Sequence, residues 1–272
     1  VIILGIETAT QQVGVALGGQ EGVIASFGVA RGRRHAETLV PAIDFVCRQA
    51  QVELGEVGIV AVDTGPGLFT GLRVGVAAAK ATAQALRLPM IGLSSLDLLA
   101  FPVRHSRRLI AAVIDARRGE VYSALYRQVQ GGVQRLSDYR LQQPAELACE
   151  LEASGDECLV VGDGAVRYAD VLVADSRVEL GGTGYAYPQA SALVELAHPR
   201  AIREEFVQPR DLQVMYLRKS DAEINWEEHR RAAGERSMGS VGSAGSVGSV
   251  GDPGSTGETG ETGDGAWVPE RS

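Results

Sequence analysis

Two periodicities alternate along this chain. The stretch IILGI (2–6) is almost wholly apolar, as in a strand buried on both faces. QQVGVALGG alternates instead and sets Val13, Val15 and Leu17 on one face. GVIASFGVA reads as a third strand, and the Gly, Gln and Thr clusters between these runs predict turns, so the chain opens on a meander. The period then changes: Leu39, Val40, Ile43, Val46, Cys47 and Ala50 recur at helical spacing. Pro41, which has no N–H to donate, belongs in the first turns of that helix or kinks it. Strand VGIVAVDT, a glycine-rich loop, helix GLRVGVAAAKATAQAL, strand PMIGL and a short helix from Ser94 follow.

The order then starts again. RLIAAVIDAR is an apolar strand running to Asp115, GEVYSALYRQV alternates, and GGVQRLSDYRL supplies a third strand. PAELACELEAS is helical, CLVVGDG a strand and QASALVELAHP a helix. Two successive βββαβα-type units predict an α/β fold duplicated in architecture, with the break near residues 101–107. The divisions are 1–103, 104–231 and a tail, 232–272. Leu212, Val214, Met215 and Leu217 are still apolar anchors. The Gly/Ser/Thr-rich tail buries too little to offset chain entropy and is expected to be disordered.

Composition narrows the class. The chain has 272 residues, long enough for two cores, with 45% hydrophobic and 22% charged residues, as in globular proteins. Its first residues lack a basic n-region and a small-residue cleavage site, so no signal peptide is expected, and no apolar run reaches membrane-spanning length. Cys47, Cys149 and Cys158 form no C-x-x-C pair and predict reduced thiols in a cytoplasmic chain. Net charge is −8; six acids and two bases in the tail leave the body at −4, which argues against nucleic-acid binding as a main solitary activity.

The loop GPGLFTGLRVGVAAAK resembles a phosphate cradle but fits neither fingerprint. The P-loop spacing G-x-x-x-x-G-K-[ST] is not met, and Thr70 stands where a dinucleotide G-x-G-x-x-G needs its last glycine. The pattern favours a tight turn into a helix with Thr70 as N-cap, anion binding at the helix start being the lesser alternative. Within that helix Gly71, Gly75, Ala78, Thr82 and Ala85 share a face of small residues, beside an apolar face with Leu72 and Ala79. Packing inside the chain and docking on another protein are equally compatible with it. Thr8 and Thr10 at one hairpin, and Arg117 and Arg118 at a second, could meet a phosphate, although an ordinary hairpin turn explains each pair. His35, His105, His198 and His229 include no pair at i+3 or i+4, so no zincin-type metal site is expected, and there is no G-x-S-x-G elbow.

Taken together, GIETAT, RRHAETLVPAID, DTGPGLFTGLRVGVAAAK, GLSSLDLLA and DARRGEVYSALY, in this order and spacing, resemble the bacterial TsaB family, the dimerisation subunit of the tRNA threonylcarbamoyladenosine machinery. The resemblance runs from Ile3 to about Tyr126, with Tyr216 to Arg218 (YLR) also similar. It implies a duplicated actin/Hsp70-like (ribonuclease H-like) fold, which agrees with the repeat read above. It implies a non-catalytic scaffold that pairs with the catalytic subunit TsaD, with the ATPase TsaE recruited and tRNA reached indirectly. A homodimer is the alternative when the chain is alone. It implies no catalytic metal, since only His35 stands where TsaD-like chains carry paired histidines, and no cofactor. Glu7 replaces an Asp of related ATPases, and Thr8, Thr10 and Arg117 would be remnants of a nucleotide site. The partner interface would be two helices, at roughly 36–51 and 70–86, carrying Leu39, Val40, Ile43, Val46, Gly71, Leu72, Gly75, Ala78, Ala79 and Thr82. The alternatives are an ATP-dependent small-molecule kinase on the same fold and, third, a metalloprotease, against which the unpaired histidines speak.

Overall fold

The computed structural model of the chain describes residues 1–32 and 34–218; the expected disordered tail, 232–272, and the last part of the second division lie outside the described residues. The opening meander is β1 (Ile2–Glu7), β2 (Val13–Gly19) and β3 (Gly22–Val29), followed by α1 (His35–Ala50), β4 (Val57–Asp63), α2 (Phe69–Leu86), β5 (Met90–Leu93) and α3 (Ser95–Ala100). The second series is β6 (Leu109–Arg117), β7 (Glu120–Val129), β8 (Gly132–Arg135), β9 (Arg140–Gln142), α4 (Pro144–Ser154), β10 (Cys158–Val161), α5 (Asp163–Arg167), α6 (Ala169–Leu172), β11 (Val178–Leu180) and α7 (Ala190–Ile202).

The strands form two sheets of one design. The first runs β3-β2-β1-β4-β5, with the meander antiparallel and β1, β4 and β5 parallel. The second runs β11-β10-β6-β7-β8, with β6, β10 and β11 parallel and β9 added to β7. Counted from each unit's first strand the order is the same, 3-2-1-4-5. This is the duplicated ribonuclease H-like arrangement of actin and Hsp70 that the resemblance implies.

Local departures have local causes. The third strand of the second meander is split into β8 and β9, because Leu136 donates its N–H to the Leu125 carbonyl (2.8 Å) and Ser137 Oγ accepts from the Leu125 N–H (3.0 Å). These two bonds turn the chain between the pieces. α1 stops at Ala50, where Gln51 takes a left-handed φ of 54° and closes the helix on the Arg48 carbonyl (3.2 Å). α2 starts at Phe69, one residue before the expected cap. Leu68 is the capping residue, its N–H satisfied by the Ala9 carbonyl (2.7 Å), and Thr70 lies exposed inside the first turn.

Helices cover both faces of the first sheet. α1 and α2 bury Leu39, Val46 and Val76 against Leu4, Val15 and Val60 on one face. On the other face α7 sets Leu193, Val194 and Ala197 against Ile3, Ala16 and Ile59. The sequence division assigns α7 to the second unit, yet its buried side belongs to the first sheet. The sheets are joined through α3, whose Leu98 enters the first core while Leu96 and Leu99 enter the second. Asp97 on α3 accepts hydrogen bonds from Tyr126 (2.8 Å) and Tyr139 (3.0 Å) of the second unit. A strap then returns across both units. Val207 pairs with Met90, Leu212 fills the first core, Met215 N–H reaches the Thr64 carbonyl (2.8 Å) and Leu217 packs on the second core.

Candidate functional site

Three strands carry an acid at or near their carboxyl ends. Glu7 closes β1, Asp63 closes β4 and Asp115 lies near the end of β6, each after an apolar run. All three sit at the carboxyl ends of strands, where open α/β sheets place their ligands. The parallel register Ile6↔Val62 puts Glu7 and Asp63 side by side. Both are buried, at 0% and 2% exposure.

Asp63 Oδ1 accepts from Ser95 Oγ (2.6 Å) and from Gly65 N–H (2.8 Å), and Glu7 Oε1 accepts from Ala9 N–H (2.7 Å). The second oxygen of each, Glu7 Oε2 and Asp63 Oδ2, has no hydrogen-bond partner. Burial pushes both carboxyls up, Asp63 to about 7, and the Asp63 charge raises Glu7 further. Burial thus favours the protonated form of both carboxyls.

The β1–β2 hairpin tip beside this pair is closed. Thr8 Oγ1 donates to the Gly71 carbonyl (2.8 Å), and His35 Nε2 donates to the Thr10 carbonyl (2.8 Å). Thr8 and Thr10 are 2% and 1% exposed. Of the residues expected as a remnant of a nucleotide site, neither threonine hydroxyl reaches the surface: Thr8 Oγ1 is bonded to α2, and Thr10 Oγ1 accepts from the Gln12 N–H (3.3 Å). The approach depends on glycines. A Cβ on Gly71 would lie 2.2 Å from the Thr8 carbonyl oxygen, and one on Gly75 only 2.1 Å from Thr8 Oγ1. The small-residue face of α2 therefore serves internal packing over its glycine half.

The second hairpin is built differently. Arg117 (φ 64°), Arg118 (φ 56°) and Gly119 (φ 79°) all take left-handed conformations. Asp115 accepts from Arg117 N–H and from its guanidinium (both 2.9 Å), and Arg167 approaches at 3.4 Å. Asp163 accepts from the Asp115 N–H (3.0 Å), and burial pushes its carboxyl to about 6. Arg117, expected to face a phosphate, is thus folded onto its own strand's acid. Arg218, from the strap, donates to the Ala116 carbonyl (2.7 Å) and pairs with Glu120. Among the described residues no cluster of three or more His, Cys, Asp or Glu is arranged to hold a metal ion.

The ten expected interface residues divide. Leu39, Val46, Gly71, Leu72, Gly75 and Ala79 are turned inward: Leu39, Val46 and Ala79 enter the first core, Gly71 and Gly75 meet the hairpin tip, and Leu72 is buried against the Gly65 loop. For these six, docking on a partner gives way to packing within the chain. Ala78 and Thr82 are half-buried, whereas Val40 is 66% exposed. Val40 and Ile43, with Cys47, Val52 and Leu54, line an apolar groove along α1. Phe45 (43% exposed) and Phe69 (38% exposed) add aromatic surface on α1 and α2. Residue pattern missed Phe45 and Phe69 as surface anchors, and it missed Asp63 and Ser95. The available signal for Asp63 was the repeated placement of an acid at the end of an apolar strand.

Comparison with known proteins agrees with this geometry. A family model described as TsaD, tRNA N6-adenosine threonylcarbamoyltransferase, matches residues 28–226. The tRNA threonylcarbamoyladenosine biosynthesis protein TsaB of Bacillus subtilis (strain 168) is 28% identical over 231 residues, spanning 84% of this chain and 99% of the relative. Its namesake from Escherichia coli (strain K12) is 29% identical over 223 residues, spanning 81% and 96%. The solved structure of YeaZ from Pseudomonas aeruginosa superimposes with a TM-score of 0.69 at 28% identity, over 79% of this chain and 99% of that one. No helix among the described residues is long and apolar enough to cross a membrane.

Proposed function

We propose that this chain, which belongs to the TsaB family of tRNA threonylcarbamoyladenosine biosynthesis proteins, works there as a non-catalytic scaffold. It pairs through α1 and α2 with a TsaD-type catalytic subunit, and the pair presents a surface to the ATPase TsaE and to tRNA. The observation that carries this reading is the groove along α1, whose apolar lining is exposed Val40 with Ile43, Cys47, Val52 and Leu54. An apolar groove open along an exposed helix marks a protein interface more than a catalytic cleft. The closed hairpin tip supports the non-catalytic part, because Thr8 and Thr10 are spent on internal bonds.

The test is size-exclusion chromatography of the chain with the TsaD-type subunit of the same organism. The wild type is expected to form a stable complex that is required for threonylcarbamoyl transfer. Val40→Asp places charge in the groove and should weaken pairing about tenfold or more, with the melting temperature within about 2 °C because Val40 is 66% exposed. Full transferase activity without this chain would refute the scaffold. Tight, stoichiometric ATP–Mg²⁺ binding to the isolated chain in calorimetry would return the kinase reading.

A further inference from the structure

α2 contains no Asp or Glu in 18 residues, in a chain whose net charge is −8. Its cations, Arg73, Lys80 and the closing Arg87, lie seven residues apart. Seven residues are nearly two full turns, so the three follow one flank of the helix with about 10 Å of rise between neighbours. α1 beside it differs, carrying Glu37 and Asp44 among its charges.

The lower half of this flank is a groove. Lys80, Gln84 and Arg87 form one wall, Leu88 and Pro89 lie near the floor, and Arg210 closes it from the strap. No carboxylate lines it. Among the described residues neither Lys80 nor Arg87 has a carboxylate within ion-pair reach, whereas Arg210 pairs with its neighbour Asp211 (3.5 Å). Arg87 also takes a left-handed φ of 57°, a helix-ending position where glycine is the usual residue. The backbone tolerates an unfavourable conformation while the arginine side chain is kept at the groove.

We propose that this flank binds the sugar–phosphate backbone of the tRNA, with Lys80, Arg87 and Arg210 as phosphate contacts. The inference rests on the reading of the chain as part of a tRNA-modifying complex. A lysine point charge and two guanidinium forks suit phosphate oxygens and read no sequence. The acidic body repels RNA at long range, so this contact is weak in the isolated chain and gains strength when a catalytic subunit holds the same RNA. The groove flanks the helix pair that carries the proposed interface, so one RNA could touch both proteins.

The experiment measures fluorescence anisotropy of labelled tRNA against the reconstituted complex between 50 and 300 mM salt, for wild type and Lys80→Gln/Arg87→Gln. Loss of two phosphate contacts should weaken binding about tenfold or more at low salt and flatten the log–log salt slope by about 1.5. Size-exclusion chromatography should show unchanged pairing. Equal affinity and slope in an intact complex would overturn the proposal. Loss of pairing in the variant would also overturn it and assign the flank to an acidic protein surface. Should the wild type not pair at all, the scaffold reading fails. The RNA proposal is then decided on the full chain alone at 20 mM salt, where it stands only if tRNA binding depends on Lys80 and Arg87.

Discussion

Gly75→Leu is expected to lower the melting temperature by about 4–24 °C, whether or not a partner is present. A Cβ at this position would sit 2.1 Å from Thr8 Oγ1 and 3.3 Å from Thr8 Cβ. Either α2 moves off the sheet or Thr8 rotates and gives up its bond to the Gly71 carbonyl. Forcing extra carbons into a packed site costs about 1–3 kcal/mol, and a buried hydroxyl left without its partner adds about 1–3 kcal/mol. In a domain of this size each kcal/mol is worth about 2–4 °C. Thermal melts followed by circular dichroism, with Ala77→Leu on the exposed side of the same helix as control, decide it. A Gly75→Leu protein that melts like the wild type and loses only its partner would show that this face of α2 points outward. The Val40→Asp variant has the opposite profile, native stability and weakened pairing, so the two separate folding from assembly.

Glu7→Gln is expected to raise stability at pH 8. The pKa of Asp63 is lifted from 3.8 to about 7, and that of Glu7 is also raised. Between about pH 4 and pH 7 the folded chain therefore binds more protons than the unfolded chain, and the contribution of the pair to stability falls as pH rises through this window. The glutamine keeps an oxygen for the Ala9 N–H and puts an amide donor where Oε2 has no partner. The melting temperature of the variant should exceed that of the wild type by several degrees at pH 8, with the gap closing as pH falls to 4. A gap of the opposite sign at pH 8, or one independent of pH, would mean that the carboxyls are charged in the native state.

Much of this fold was legible in the residue pattern, because strand and helix periods are local properties. The repeat of three strands and alternating elements appears twice in the sequence and twice in the sheets. What pattern alone did not give was partners across long separations. The glycine face of α2 was plain, but Thr8, its neighbour, is 63 residues from Gly71. A parallel crossover makes that contact, and spacing within one helix says nothing about it. Glu7 and Asp63 have the same limitation: each was visible as an acid ending an apolar run, while their adjacency arises from the β1–β4 register. α7 is apolar enough for either sheet, so its position depends on which uncovered face remains. Within the expected interface, helical spacing grouped residues that point in two directions. Val40 stayed at the surface, while Leu39 beside it is 1% exposed.

The position of α7 also sets an order of events during synthesis. The first sheet leaves the ribosome early, but one of its faces is uncovered until residues 190–202 are made. Leu212 of the strap, which completes the other side, arrives later still. The second sheet gathers α4, α5 and α6 from nearby sequence and is able to close sooner. Domains are usually finished in the order of translation; here the half made first waits for a helix translated after every strand of the second sheet. A ribosome stalled short of residue 190 therefore displays Ile3, Ala16 and Ile59 bare, the surface a chaperone would meet first.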